Sequence, residues 1–243
     1  MATNRPRVLL LSPIDPTGRR GQVVEICACH ALGVDVAPVP TGALLPSTNG
    51  RYEIIPTSPS LFRGMLNTAL DGPLSGMLVG PLASGRIASI LADALTRNLP
   101  ETMVLAPWPL NFDVVGKPGW WMMRTLRRKL VREATVVVIT SNASPELVVS
   151  SENSSLGPAL INAGAHAAWL VDRDSGVRAR DHIYQGTDIS VLDYPSPKAS
   201  VGTDALPAAL AALLARGFSL TEAVEGTQRW CGSNDGLPHA LAV

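Results

Sequence analysis

The residues best able to do chemistry lie in a few short polar runs. Arg19 and Arg20 stand in Ser12-Pro-Ile-Asp-Pro-Thr-Gly-Arg-Arg-Gly21, just after an apolar segment. Adjacent guanidinium groups can grip a phosphate or carboxylate, or simply be solvated loop residues. Asp204, in Val201-Gly202-Thr203-Asp204, opens a long apolar helical stretch, where aspartate is a good helix cap. Val115-Gly116-Lys117-Pro118 lacks the upstream glycine and the hydroxyl residue of a phosphate-binding P-loop. His30, His166, His182 and His239 share no metal-ligand spacing, so no protein-held metal is expected. His30 reads as a helix-surface residue and Cys29 as core. Cys27, Cys29 and Cys231 show neither a disulfide framework nor a CxxC site, which leaves reduced thiols. Trp120-Trp121-Met122-Met123 with Arg124, Arg127, Arg128 and Lys129 reads as apolar packing under a basic solvated face. A homodimer interface is the other use of such exposed tryptophan and arginine.

The elements that must position these residues follow from composition and periodicity. The chain has 243 residues, 46% hydrophobic and only 16% charged, which excludes a disordered protein. Lys+Arg and Asp+Glu both number 20, so no global basic field gathers nucleic acid or anionic lipid. A small-molecule partner is expected, with no nucleic acid and no membrane. The first residues lack a signal-peptide core, and the longest apolar stretch, 205–215, falls well below the roughly 20 residues of a membrane span. A cytoplasmic location is the expectation.

Short apolar runs alternate with helical patterns. Strands are expected at 7–12, 34–39, 77–79, 103–105, 135–139 and 167–171. Residues 177–185 and 189–192 read as a sheet extension. Helices are expected at 22–32 (closed by Gly33), from Ser58-Pro59 to about 70, around Ile87–Leu95, and at 120–134, 156–163, 204–216 and 220–230. This rhythm predicts an α/β fold, a mostly parallel sheet with helices on both faces, as one domain over 1–243. Ligands of such sheets sit beyond the carboxyl ends of the strands. The informative loops are therefore 13–21, 106–119, 140–146, 172–176 and 195–204.

Three of these loops carry a resemblance. The run 12–21, followed by a helix ending Ala31-Leu-Gly33, resembles the opening of the hydroxymethylpyrimidine and phosphomethylpyrimidine kinases of thiamin biosynthesis, a branch of the ribokinase-like superfamily. That opening reads Gly-Ser-Asp-Pro-Ser-Gly-Gly-Ala-Gly, then a helix ending Ala-Leu-Gly. Ile139-Thr-Ser-Asn142 is similar to the family's Thr-Pro-Asn. Gly202-Thr-Asp-Ala-Leu-Pro-Ala-Ala-Leu through Gly217 resembles its Gly-Thr-Gly-Cys-Thr helix, and Leu220-Thr-Glu-Ala-Val224 is also similar. The resemblance covers nearly the whole chain in order. It implies a three-layer α/β/α ribokinase-like domain that transfers a phosphoryl group from ATP, with Mg2+, to a pyrimidine alcohol or its phosphate. Val201, Gly202 and Thr203 would form the anion hole and Asp204 the general base. Asp15, Arg20, Gly21 and Glu25 would line the substrate site, and Asn142 and Asp172 the nucleotide site.

The departures from the family pattern bear on activity. Ala106-Pro107 replaces an Asp-Pro whose aspartate helps hold magnesium, and Asp172-Arg173-Asp174 replaces Lys-Gly-Gly. Two carboxylates there would repel a polyphosphate unless a metal or Arg173 compensates. Pro145 displaces the acid of the Asn-x-x-Glu element to Glu146, and two anion-hole glycines are Val201 and Thr203. In the substrate site a small residue has become Arg20, the acid is Glu25 rather than aspartate, and the expected glutamine falls at Pro46. Two functions are thus in play: an active kinase, and a catalytically degraded homologue that binds a small ligand or regulates.

Overall fold

A computed structural model of the chain describes residues 5–47, 51–97, 100–107, 120–140, 156–171, 178–195 and 201–232. Among these residues nine strands form one sheet in the order β3-β2-β1-β4-β5-β6-β7-β8-β9. They are β1 (Arg7–Ile14), β2 (Asp35–Pro46), β3 (Tyr52–Pro56), β4 (Gly76–Val79), β5 (Met103–Leu105), β6 (Val136–Thr140), β7 (Ala167–Val171), β8 (Arg178–Gln185) and β9 (Asp188–Pro195). Pairings from β2 through β1, β4, β5 and β6 to β7 are parallel. The two margins are antiparallel, β3 on β2 and β8 and β9 beyond β7. The expected strand at 135–139 is β6, an interior strand.

The helices are α1 (Gln22–Ala31), α2 (Pro59–Leu70), α3 (Gly85–Leu95), α4 (Trp120–Thr125), α5 (Leu156–Asn162), α6 (Val201–Ala215) and α7 (Leu220–Gly232). Alternate strand residues feed two cores. Leu9, Leu11, Val137 and Ile139 pack with Phe62 and Leu66 of α2, Ile87 and Leu91 of α3, and Leu160 of α5. Val8, Leu10, Val136 and Val138 pack with Val24 and Ala28 of α1, Leu206 and Leu210 of α6, and Val224 of α7. The central strands are thus buried on both faces between two helical layers, which is why they read as unbroken apolar runs. Each leucine so buried contributes about 1.5–3 kcal/mol.

Local signals explain the boundaries. The Ser58 hydroxyl accepts from Leu61 N with Pro59 at the first helical position, and Ser84 caps α3 through Ile87 N. Ser219 and Glu222 form a capping box at α7, with Ser219 N on the Glu222 carboxylate at 3.0 Å. The Ser219 hydroxyl and amide hold the Glu222 carboxyl below its ordinary range. That cap is intact at neutral pH and weakens as acid protonates the group.

Three expectations need correction. Residues 120–134 do not form one α-helix. α4 passes into a π-helical turn, Leu126–Leu130, and a 3-10 turn, Val131–Glu133. The polar stretch near 50 is followed by an unforeseen strand, β3, which makes β2 half of a hairpin. α6 begins at Val201 rather than 204, with Pro207 inside it.

Candidate active site

The topology locates the site before any side chain does. From β1 the chain moves outward through α1 to β2, with α1 on one face. From β4 onward it moves the opposite way, through α3, α4 and α5 on the other face. The crevice beyond the carboxyl ends of β1 and β4 is therefore the switch point where open α/β sheets bind ligands. Ser12 and Gly80 meet there: Gly80 N donates to Leu11 O at 2.7 Å, and a Cβ on Gly80 would lie 2.8 Å from that of Ser12. Ala106 is the next position along this edge, its amide on Val79 O at 2.8 Å.

The loop between β1 and α1 is built by Asp15. Its buried carboxylate accepts from Thr17 N at 2.9 Å, Thr17 Oγ1 at 2.7 Å and Arg19 N at 3.2 Å. Such an aspartate fastens its own turn. Gly21 then closes the loop against β1 with φ +57°. Inside the first turn of α1, Gln22 Nε2 donates to Leu10 O at 3.1 Å. The Ser12 hydroxyl donates to the buried Glu25 carboxylate. Neither Ser12 nor Gln22 was singled out from the sequence. Both partners are remote along the chain, and only the strand–loop–helix geometry unites them.

Cys29 lies one turn beyond Glu25, its thiol 3.7 Å from Ala208 O of α6. Burial pushes this thiol up to about 12, and the Glu25 charge adds to the effect. In the native protein an alkylating reagent should therefore modify the half-buried Cys27 and Cys231 and spare Cys29 until the chain unfolds. Mass spectrometry of the alkylated peptides reads this directly. Rapid native labelling at Cys29 would contradict the packing of α1 on α6.

α6 brings the second half of the site to the same edge. A Cβ on Gly76, at the start of β4, would lie 3.4 Å from that of Ala215, at the end of α6. Arg216 Nη1 donates to Leu32 O just past α1. α6 and α1 thus lie side by side and point the same way, with both amino ends at the carboxyl edge of the sheet. The four residues 201–204 form the first turn of α6 rather than a turn before it. First-turn amides lack intrahelical acceptors, so they still face that edge as donors. Side chains of Val201, Gly202, Thr203 and Asp204, and all of Asn142 and Asp172, lie outside the described residues.

Arg20 is half-buried, and its Nε donates to the Tyr52 hydroxyl at 3.1 Å. Its guanidinium carbon is 5.2 Å from the Tyr52 ring centre, a cation–π distance. Arg19 is exposed, as the solvated reading expects. His30 is exposed and Cys29 buried, also as read. Met122, Met123, Leu126 and Leu130 pack inward while Trp121 is 67% exposed beneath Arg124. No cluster of three metal-ligating side chains occurs among the described residues. No helix among them is long and apolar enough to cross a membrane.

A second buried polar cluster escaped the sequence reading. Asp181 of β8, fully buried, accepts from Trp169 Nε1 at 2.8 Å, Tyr194 OH at 2.7 Å and the Gln228 amide. Gln228 Nε2 also donates to Tyr194 OH at 2.9 Å. The cluster ties β7, β8 and β9 to α7. β7 leads to residue 172, and β9 leads to 201–204.

Comparison with known proteins agrees with this architecture. No family model matches the chain. Hydroxymethylpyrimidine/phosphomethylpyrimidine kinases of Mycobacterium tuberculosis and Mycobacterium bovis are 26% identical, aligned over 93% of this chain and 86% of theirs. The pyridoxal kinase of Staphylococcus aureus, solved with AMP-PCP and pyridoxal, superposes with a TM-score of 0.83 at 19% identity. That superposition covers 96% of this chain and 88% of the other. The phosphomethylpyrimidine kinase of Clostridium difficile gives 0.75 at 16% identity, over 93% and 98%. The chain thus has the three-layer ribokinase-like fold of these vitamin kinases and is similar in sequence, almost end to end, to the hydroxymethylpyrimidine/phosphomethylpyrimidine kinases.

Proposed function

We propose that the chain, acting as a single domain over 1–243, is a kinase-type phosphotransferase. Its acceptor is a small pyrimidine-like alcohol or the corresponding phosphate, and its donor is ATP. The observation that carries this is the placement of the β1–α1 loop and the amino end of α6 at the same carboxyl edge of the sheet, in a chain similar to such kinases throughout. The relatives solved with ADP or AMP-PCP support nucleotide as the donor.

In this reading Glu25 and Ser12 form the polar floor under the ring, and Gly21 lets the backbone pass close to it. Asp15 acts by holding the loop. Asp204 takes the acceptor's hydroxyl proton as that oxygen forms its bond to the γ-phosphorus and the bond to ADP breaks. First-turn amides of Val201, Gly202 and Thr203 stabilise the charge on the transferring group. Asn142 and Asp172 border the nucleotide.

The described residues do not offer Mg2+ a ligand set. Ala106 presents a buried methyl group, and the Asp15 and Glu25 carboxylates are engaged by Thr17, Arg19 and Ser12. The buried methyl group of Ala106, where the family pattern has an aspartate, favours slow transfer over brisk turnover, and gives the second reading, a small-ligand-binding or regulatory homologue, its footing. The test is phosphoryl transfer from ATP, with Mg2+ in the buffer, to hydroxymethylpyrimidine and its monophosphate, beside calorimetry with ATP. Expected are weak ATP binding, measurable slow transfer, and ATP affinity raised about tenfold by Ala106→Asp with Asp172→Lys, roughly one added charge-assisted contact. Acceptor binding with no transfer by either protein would favour the regulatory reading.

A further inference from the structure

The buried Asp181 cluster joins the far margin of the sheet to the helices that carry the proposed donors. Asp181 stands on β8 opposite Leu192 of β9. Trp169 of β7, opposite Ile183, and Tyr194 of β9, opposite Ala179, are its diagonal neighbours on the same face. Gln228 reaches the carboxylate from α7 above that face. Stability alone does not call for a charge here. Apolar side chains that replace buried charges often leave a protein as stable or more so. An indole, a phenol and an amide directed at one carboxylate instead fix a relative placement of three strands and a helix.

Two connections carry that placement to α6. Trp169, the largest fully buried side chain, belongs to the same core as Ala205 and Leu206, the residues that follow Asp204. Its Nε1 bond to Asp181 holds the ring within the core that the first turns of α6 share. Gln228 lies two residues beyond Gly226 of α7, where an added Cβ would fall 3.0 Å from Leu213 Cδ1 of α6. Its amide therefore ties the helix packed on α6 to the sheet margin. The β1–α1 loop is remote from all of this, because β4, β5, β6 and β7 separate β8 from β1.

We propose that Asp181 is a positioning residue for phosphoryl transfer. Through Trp169, Tyr194 and Gln228 it holds the amino end of α6 in place against the transferring group. Being fully buried, it acts through these partners rather than on substrate. The proposal rests on the kinase reading of the site.

The test uses Asp181→Asn, which replaces one acceptor oxygen with a donor, and Tyr194→Phe, which removes one of the three donors. Leu66→Ala, in the core on the other face of the sheet, is the destabilised control. Calorimetry with ATP and with hydroxymethylpyrimidine, and transfer kinetics, are run where circular dichroism shows every variant folded. Both cluster variants should lose about tenfold in kcat and a few-fold in ATP affinity while acceptor affinity stays within about twofold, since small misplacements of catalytic groups suffice for this. Leu66→Ala should lower the unfolding midpoint and leave ATP affinity and kcat unchanged. If Asp181→Asn does not fold, Tyr194→Phe decides alone. If the unaltered chain binds ATP without transfer, the ATP affinities decide. Cluster variants that only unfold more readily, or that weaken ATP and acceptor alike, would overturn the proposal and leave the kinase reading intact. So would an equal loss of ATP affinity in Leu66→Ala. An unaltered chain that neither binds ATP nor transfers phosphate would overturn both.

Discussion

Asp181→Ala should unfold at a much lower urea concentration than the parent chain, with a loss of about 3–5 kcal/mol. Among the described residues, three donors point at this fully buried carboxylate: the Trp169 indole at 2.8 Å, the Tyr194 hydroxyl at 2.7 Å and the Gln228 amide. Each buried donor left without an acceptor costs about 1–3 kcal/mol. Gln228 and Tyr194 keep their own bond at 2.9 Å, which moderates the sum. Asp181→Asn preserves the volume and one acceptor oxygen, and should lose only about half as much. Tryptophan emission offers a second readout, since Trp169 is fully buried and its indole would lose its acceptor. A drop of less than about 1 kcal/mol in Asp181→Ala would mean that water or a neighbouring group takes over the acceptor role.

That cluster also shows where sequence reasoning ends. Trp169, Asp181, Tyr194 and Gln228 are spread over four elements, and no local pattern links them. Asp181 reads as an ordinary charged residue until strand pairing turns it inward. By contrast, Val136 to Ile139 announce an interior strand by themselves, because a strand covered on both faces tolerates no polar alternation. Ser58-Pro59 announces a helix start because capping chemistry is local. β3 lay between these cases. Tyr52-Glu-Ile-Ile-Pro56 is short, ends in proline and sits at the sheet margin, so its strand character comes from β2.

The candidate site divides in the same way. Its first loop and Glu25 were legible because family spacing marks them, whereas Tyr52, 32 residues from Arg20, was not. The expected start at 204 follows from Asp204 as a helix cap, and it would set Pro207 in the first turn, where its missing amide costs nothing. The helix instead begins at Val201 and leaves the Thr203 carbonyl without the usual donor from residue 207. This places three additional residues, 201–203, in helical geometry at the edge where transferring charge must be held.

Gly21→Ala should damage stability and ligand binding together. Gly21 adopts φ +57° and ψ −140°, a conformation open to glycine and costly for any residue with a Cβ. An added Cβ would also fall 2.4 Å from the Pro13 carbonyl oxygen, a backbone atom with little room to retreat. Strained dihedrals and overpacking each cost about 1–3 kcal/mol, so a loss of about 2–5 kcal/mol is expected. Relief would come by moving the loop away from β1, which shifts Arg20 relative to Tyr52 and Glu25 relative to Ser12. Gly33→Ala supplies the comparison. Gly33 has φ +76° but nothing within 4 Å of an added Cβ, and it lies just beyond the carboxyl end of α1, away from the crevice. It should cost about 1 kcal/mol through backbone conformation alone and leave ligand affinity where it was. Urea melts and calorimetry on the two variants separate a general glycine effect from a site effect. Equal stability losses, with pyrimidine or nucleotide binding untouched in Gly21→Ala, would remove this loop from the binding site.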